Sequence, residues 1–414
     1  MGLVSRILNS SYSLADFDRD IERAIRGESV KSGVHVNEDT ALRFSAVFAC
    51  VRVLSETLAS LPLIVYRRRQ NGNGKDRAYD HPLYSLLHDS PNEDMTAMTM
   101  KETIMGHLVT SGNGYAYKTI TRGGRVLSLY PLNWTRIEPA RNKDTRAIEY
   151  KFRENDGTTR ILSQEEVFHI PGLGFDGIRG YSPTRMAMEA VGLGLAAEEF
   201  GARFFGQGAN ASGTLETDQQ MSEPAVERLR TQFAEKHARL SQSHKPILLE
   251  QGLKFNKITI PPEEAQFLET RRFQVEEIAR INRVPLHLLQ DLTRSTNNNI
   301  EHQSLEFVMY TMMPWFVRWE QAVNMQLLTP QEREQGYFAE FLVLGLLRGD
   351  NKSRADALHI MRQDGIINAD EWRDLENMNP QEGDQGKKYL VNGNMIPVEL
   401  AGKVKATEPP RGGE

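Results

Sequence analysis

Two long apolar-striped stretches, each opened by a proline and separated by about fifty residues, constrain this chain more than any other feature. The first reads "PTRMAMEAVGLGLAAEEFGARFFGQG" from Pro183, with Ser182 placed to cap its start. The second reads "PEEAQFLETRRFQVEEIARINRV" from Pro262, with Glu263 and Glu264 in the first turn, where the helix dipole favours acids. At 1.5 Å per residue each predicts a rod of about 36 Å. Between them a strand is expected at "GTLET", a helix from about Glu223 to Leu240, and further extended pieces at "KPILLEQG" and "LKFNKITI" around Gly252. A small module carried between two rods must have its ends close together, so the expected shape is a stalk bearing a head. Gly192, Gly194 and Gly201 interrupt the first rod. Each weakens a helix by about 1 kcal/mol relative to Ala, so close approach of a neighbouring helix is the compensation expected there.

The rest of the chain divides by period. Residues 1–40 show no sustained pattern. A stripe of Val47, Cys50, Val51, Leu54 and Leu58 predicts a helix over Ser45–Ser60, ended by Pro62 before the strand "LIVYRR". A turn at "NGNG" and helices at "PLYSLLHDS" and "TAMTMKETIMGHLVTSG" follow. From Gly114 to Pro171 the period becomes two. "YAYKTI", "RVLSLY", "TRIEPA", "AIEYKFRE", "TRILS" and "VFHI" read as short antiparallel strands, with Asn155-Asp156-Gly157 a hairpin turn. The class is therefore α+β.

Past the second rod come seven consecutive polar residues, Thr293, Arg294, Ser295, Thr296, Asn297, Asn298 and Asn299, and then a helix from about Asn299 to Leu328. Asn298 or Asn299 is placed to cap it near Ile300. Pro314 lies inside and cannot donate to the Tyr310 carbonyl, which predicts a kink over Thr311–Pro314. The stretch from Ala339 to Met378 reads as a compact helical end divided at Gly349, Gly365 and Asn368, and the tail after Pro380 as mobile.

Several chemistries are disfavoured. A net charge of −5 over 414 residues does not suit a protein that grips nucleic acid with a cationic surface. The single cysteine, Cys50, falls on the core stripe of its helix, so no disulfide within one chain is possible. The longest apolar run, Phe341–Leu347, is far short of a membrane span, and with no leader visible a cytosolic setting is expected. "GLGFDG" at Gly172–Gly177 matches a dinucleotide pattern, but Pro171 precedes it, the next helix waits until Pro183, and the sheet before it is antiparallel. It reads as a mobile glycine-rich connector. None of the ten histidines has metal-site spacing, and no serine-hydrolase elbow occurs, so neither metal nor cofactor nor catalytic residue is expected. Two short helices around Gly365 imitate a helix-turn-helix, yet the second begins "NADEWRD" and would meet phosphates with acids.

In their order, "SAVFACVRVLSETLASLPLIVYRR", "HPLYSLLHDSPNEDMTAMTM", "GNGYAYK", "YPLNWTRIEP", "DGIRGYSPTRMA", "RINRVPLHLLQD", "NNNIEHQSLEFVMYTMMPWFVRWEQ" and "YLVNGNMIPVEL" resemble the portal proteins of long-tailed, siphovirus-type bacteriophages over roughly residues 40–400. The most specific pieces are "VPLHLLQD" followed by "NIEHQSLEF" and "PWFVRWEQ", and "GIRGYSP" ahead of a helix. The resemblance implies a portal fold: an N-terminal arm at 1–40, a wing at 41–181, stem helices at 182–208 and 262–289 around a clip at 209–261, a tunnel loop at 290–299, a kinked wing helix at 300–337, a crown at 338–380 and a tail at 381–414. It implies a dodecameric ring at one capsid vertex of the virion, assembled in the host cytoplasm, through which double-stranded DNA passes. The implied partners are the large terminase, the major capsid and scaffolding proteins and the head-tail adaptor, with no membrane, and the implied roles extend to nucleating the procapsid and serving as the exit for DNA.

The residues agree with that implication. Mixed charges along the second rod, Glu269, Arg271, Arg272, Glu276, Glu277 and Arg280, are close to balance, and the sequence leaves open which of them face a bore. In a ring the polar stretch becomes a collar of amides and hydroxyls with Arg294 its only cation, able to exchange weak hydrogen bonds with phosphates. Two other readings remain: a nucleotide-binding enzyme using Gly172–Gly177, which nucleotide-induced thermal stabilisation would favour, and a capsid scaffold without a pore.

Overall fold

The computed structural model describes residues 30–69, 74–206, 213–217, 222–228, 231, 254–257, 263–291, 297–343, 351–376 and 378–390. The chain divides into two compact units, Met1–Leu342 and Val343–Glu414.

Among its described residues the first helices of the larger unit are α1 (Glu38–Ala41), started by a reciprocal Asn37–Thr40 capping box, and α2 (Ser45–Ser60). Cys50, Leu54 and Leu58 of α2 are fully buried against α4 (Ala97–Ser111), where Met100, Ile104, Met105 and Leu108 face them. Burial pushes the Cys50 thiol up to about 12, which makes it the inert core residue expected. Between these helices lie β1 (Leu63–Arg68), β2 (Lys75–Arg77) and α3 (Pro82–His88).

The region of period two folds as two antiparallel sheets. One has the order β4 (Val126–Leu132), β3 (Asn113–Ile120), β8 (Val167–Pro171), and the other β5 (Ile137–Arg141), β6 (Ile148–Arg153), β7 (Thr159–Ser163). Tyr115, Ile137, Tyr150, Leu162 and Val167 form the core shared between them. Buried His169 sits 3.2 Å from Asn113 Oδ1 and 3.3 Å from Tyr150 Oη, and burial lowers its pKa to about 3, so the ring is neutral.

The first rod is two pieces, α5 (Pro183–Met186) and α6 (Met188–Gly206), with a turn at Ala187. Ser182 caps α5 as expected, accepting from the Arg185 N–H. The second rod is α7 (Glu263–Asn282), which packs on α6. Strands β9 (Gly213–Glu216) and β10 (Lys254–Lys257) pair antiparallel, so the ends of the inserted module do return to one another. Of its expected helix, residues 223–228 are helical, and "KPILLEQG" lies outside the described residues.

The glycines of α6 do have close neighbours, but these belong to the same chain and are not helical. A Cβ on Gly192 would lie 2.4 Å from Val30 Cγ2 and 3.0 Å from Ser32 Oγ, and one on Gly194 would lie 2.6 Å from the Phe44 ring. The segment leading into α1 and the residue before α2 thus fill the grooves that these glycines open. Gly201 is buried within α6.

The long helix runs as α8 (Asn297–Glu306), a π-helical segment Phe307–Met312, and α9 (Met313–Gln326). It begins two residues earlier than expected. The break in its ladder precedes the proline: the Met313 N–H reaches back five residues to the Val308 carbonyl. Pro314 therefore falls in the first turn of α9, where no N–H is needed, and the irregularity in the helix begins at Phe307, ahead of the Thr311–Pro314 expected. Phe316 and Trp319 of α9 are fully buried, Trp319 against Phe168 and both against Phe341.

After α10 (Pro330–Glu334) comes β11 (Tyr337–Phe341), which pairs antiparallel with β1, Leu63 opposite Phe341. This corrects the helical reading from Ala339 and the placing of 338–342 in a crown. Ala339 and Phe341 are buried and alternate with half-buried neighbours, and a run this short carries too little pattern to separate strand from helix.

The smaller unit contains α11 (Asn351–Gln363) and α12 (Ala369–Leu375), divided at Gly365 (φ +70°) and Asn368, as expected. Of the tail expected to be mobile, residues 391–414 lie outside the described residues, while residues 381–389 make contacts with α12. Asp370 Oδ1 accepts from the Gln381 N–H at 2.8 Å, and the Tyr389 hydroxyl donates to Glu371 at 2.7 Å, which fastens 381–389 to α12.

Candidate functional site

The polar stretch is held at its base by an unusual linker. α7 ends in a turn in which the Arg283 N–H donates to the Arg280 carbonyl and the Val284 N–H to the Ala279 carbonyl, with Arg283 at φ +55°. Glycine is the usual occupant of that position, and a side chain there costs about 1–2 kcal/mol. The conformation is held from outside, because the Thr311 hydroxyl of the π segment donates to the Arg283 carbonyl at 2.6 Å. Pro285 and a short 3₁₀ turn, Leu286–Leu289, follow, closed by Gln290 at φ +64°. Among the described residues only Arg146, Arg283 and Gln290 are non-glycine residues with positive φ, and two of the three frame this linker. Strained backbone persists where surrounding structure over-determines it.

Buried His287, at the centre of the linker, supplies part of that constraint. Its Nδ1 lies 2.9 Å from Gln303 Oε1 and its Nε2 3.4 Å from Ser304 Oγ, both on α8. "VPLHLLQD" and "NIEHQSLEF", the two most specific stretches of the sequence, are thus bonded to each other across the foot of the polar stretch. The sequence alone does not show their contact, although a histidine on an apolar linker signals a polar partner.

Of the seven polar residues, Thr293, Arg294, Ser295 and Thr296 lie outside the described residues, while Asn297, Asn298 and Asn299 form the first turn of α8 instead of preceding it. Asp291, where the chain leaves the linker, faces Arg272 of α7 at 3.8 Å. Arg272 also lies 3.5 Å from Glu276, Arg271 lies 3.4 Å from Glu198 of α6, and Arg280 contacts Glu277. Each arginine of α7 is therefore matched by an acid. Such exposed pairs add little stability, about 0–1 kcal/mol each, but they cancel the field that would hold a polyanion.

Between the end of α7, the linker and the π segment is a cavity of about 490 Å³, walled by Ala279, Val284, Leu286, Phe307 and Tyr310. Arg283 lines it and has no carboxylate at ion-pair distance among the described residues.

The "GLGFDG" loop has a different construction from a phosphate cradle. Its glycines serve backbone contacts: the Gly172 N–H donates to the Gly112 carbonyl at 2.7 Å, and a Cβ on Gly174 would lie 1.9 Å from the Arg179 carbonyl oxygen. The Asp176 carboxylate takes the Ile178 and Arg179 N–H groups at 2.7 Å each, so the loop's own acid occupies donors a phosphate would need. Nor is it a loose connector. Asn113 brackets Gly180, donating to its carbonyl and accepting from its N–H, both at 2.8 Å. Leu173 and Phe175 nonetheless stand 70% and 66% exposed.

No grouping of His, Cys, Asp and Glu suited to a metal occurs among the described residues, and none of their helices is long and apolar enough to cross a membrane.

Comparison with known proteins matches residues 45–377 to the family described as phage portal protein. The chain is 33% identical over 380 residues to the portal protein of Enterobacteria phage HK97, covering 89% of this chain and 86% of that one. It is 34% identical over 383 residues to the probable portal protein of Streptomyces phage phiC31, covering 89% and 82%. Among solved structures, the neck of a native gene transfer agent particle computed with C12 symmetry superposes with a TM-score of 0.56 at 21% identity, over 83% of this chain and 92% of that one.

Proposed function

Because the chain belongs to the phage portal protein family, we propose that twelve copies close into a ring at one vertex of the capsid and form the channel through which double-stranded DNA enters and leaves. The observation that carries this reading is the family match over residues 45–377, and the C12 neck of the gene transfer agent supports the number twelve. The two-sheet region, with the long helix and β11, serves as the wing. The helices α5 to α7 serve as the stem, residues 209–261 as the clip that meets the large terminase and then the head-tail adaptor, and residues 290–299 as the tunnel loop. Residues from Val343 serve as a crown on the capsid side. The ring nucleates the procapsid through the scaffolding and major capsid proteins in the host cytoplasm, and it stays in the virion as the exit for DNA.

The role is mechanical, not enzymatic. A conduit must guide phosphates without holding them, since each tight contact adds to affinity and resists sliding. The paired arginines of α7 suit that requirement. Negative-stain images of the purified protein, viewed down the axis, should show twelvefold rings with a central hole; discs without a hole would favour a scaffold and overturn the channel.

A further inference from the structure

We propose that the loop Gly172–Gly180 of one copy inserts Leu173 and Phe175 into the cavity beside the π segment of the next copy, with Asp176 meeting Arg283. This rests on the ring reading and names the contact by which the ring closes. A cyclic ring needs two different, complementary patches on one chain, repeated head to tail. The loop and the cavity are such a pair.

The loop is a rigid projection. Gly112 and Asn113 hold its two ends, Asp176 closes its turn, and Arg179 donates to the Pro139 carbonyl at 2.6 Å and pairs with Glu138 at 2.9 Å. Inside this framework Leu173 and Phe175 gain little from the fold of one chain, since both remain largely exposed. Their ordering is already done before any partner arrives, which is what makes a rigid apolar anchor effective in an interface.

The cavity complements that projection in shape and charge. Its walls are mainly apolar, and Tyr310 among them is itself 64% exposed. Leu305, Met309, Met313 and Val317 continue the apolar surface along the same helix, each at least 40% exposed. In an unbroken α-helix twelve residues turn through about 1200°, leaving Val317 about 120° away from Leu305. The wider π turns over Phe307–Met312 take up most of that offset and align the four residues in one stripe. The remaining charges at the cavity are Arg272 and Arg280, matched by Asp291 and Glu277, and Glu306. Arg283 is the cation left to receive an acid, and Asp176 stands beside Phe175 on the exposed loop.

Both patches are tied to one helix: the Arg318 guanidinium of α9 donates to the Pro171 carbonyl, where the loop begins, and Thr311, two turns earlier in the same helix, bonds Arg283 at the cavity.

The test uses the full chain carrying Phe175→Cys and Tyr310→Cys together; native Cys50 is buried and does not compete. Wild-type protein is first shown by sedimentation to form rings. Mild oxidation of the double variant should then give a denaturing-gel ladder of dimers, trimers and higher species, absent from either single variant. Phe175→Asp should melt at the wild-type temperature and sediment as single subunits. Rings without a ladder, a ladder that stops at dimers, or normal rings from Phe175→Asp would each overturn this contact while leaving the ring intact. Wild-type protein that never forms rings would overturn the ring reading as well.

Discussion

Lys101 is 3% exposed, and its ammonium donates only to the Leu61 carbonyl. Burial pushes its pKa down to about 8 from an ordinary value of about 10.5. Between those values the unfolded chain binds more protons than the folded one, so stability rises with pH across pH 8 to 10.5, and the full penalty, about 3 kcal/mol, applies below pH 8. Lys101→Met should raise the urea midpoint at pH 7 and remove this part of the slope between pH 8 and 10.5. The difference between wild type and variant isolates it, because Cys50 contributes with opposite sign above pH 9, where its folded thiol holds its proton. A variant with the wild-type slope would mean that Lys101 is not the group responsible. No sequence pattern marks this lysine, which sits on a helix face between apolar residues; its cost follows from which neighbours cover it.

At the scale of elements, α6 shows how a correct signal acquired a different partner. Three glycines in one rod required a close neighbour, and the structure supplies one at Gly192 and Gly194. The neighbour is the chain's own segment at Val30 and Ser32 and the Phe44 ring. Gly192→Leu should therefore destabilise each subunit before it affects assembly, by about 1–3 kcal/mol in urea melts, as overpacking does. Adding Val30→Ala should recover part of the loss, which would not happen if the groove belonged to another subunit alone. The long helix carries a similar lesson. Pro314 was legible as a break, but its remedy, π turns one segment earlier with Thr311 turned toward Arg283, depends on a partner 28 residues away in sequence.

For the whole molecule, the foot of the polar stretch matters more than the stretch alone. His287, Gln303 and Ser304 join the linker to α8, so substitutions in residues 293–299 can alter the surface of the proposed channel without disturbing the frame. Replacing Asn297, Asn298 and Asn299 by Ala should leave rings intact in sedimentation while lowering packaged or retained DNA. Full-length genomes packaged and kept at wild-type yield would remove the stretch from the channel's function. His287→Ala should do the reverse and lower subunit stability by about 1–3 kcal/mol, because it removes a buried imidazole and its bond to half-buried Gln303.

What the sequence determined by itself were features whose cause is local. The bounds of α2, the alternation and hairpin turns of the two sheets and the Ser182 cap all follow from periodicity, turn chemistry and the residues next in the chain. The ordered motifs also determined the family, because several specific stretches had to occur in one order. Tertiary structure decided the rest: β11 joined β1, Val30 filled the groove at Gly192, and His287 joined Gln303. Each of these is a contact between distant residues whose energy depends on who the neighbour is. A short apolar run, a glycine or a histidine signals that a neighbour is needed, and only the folded chain decides which one arrives.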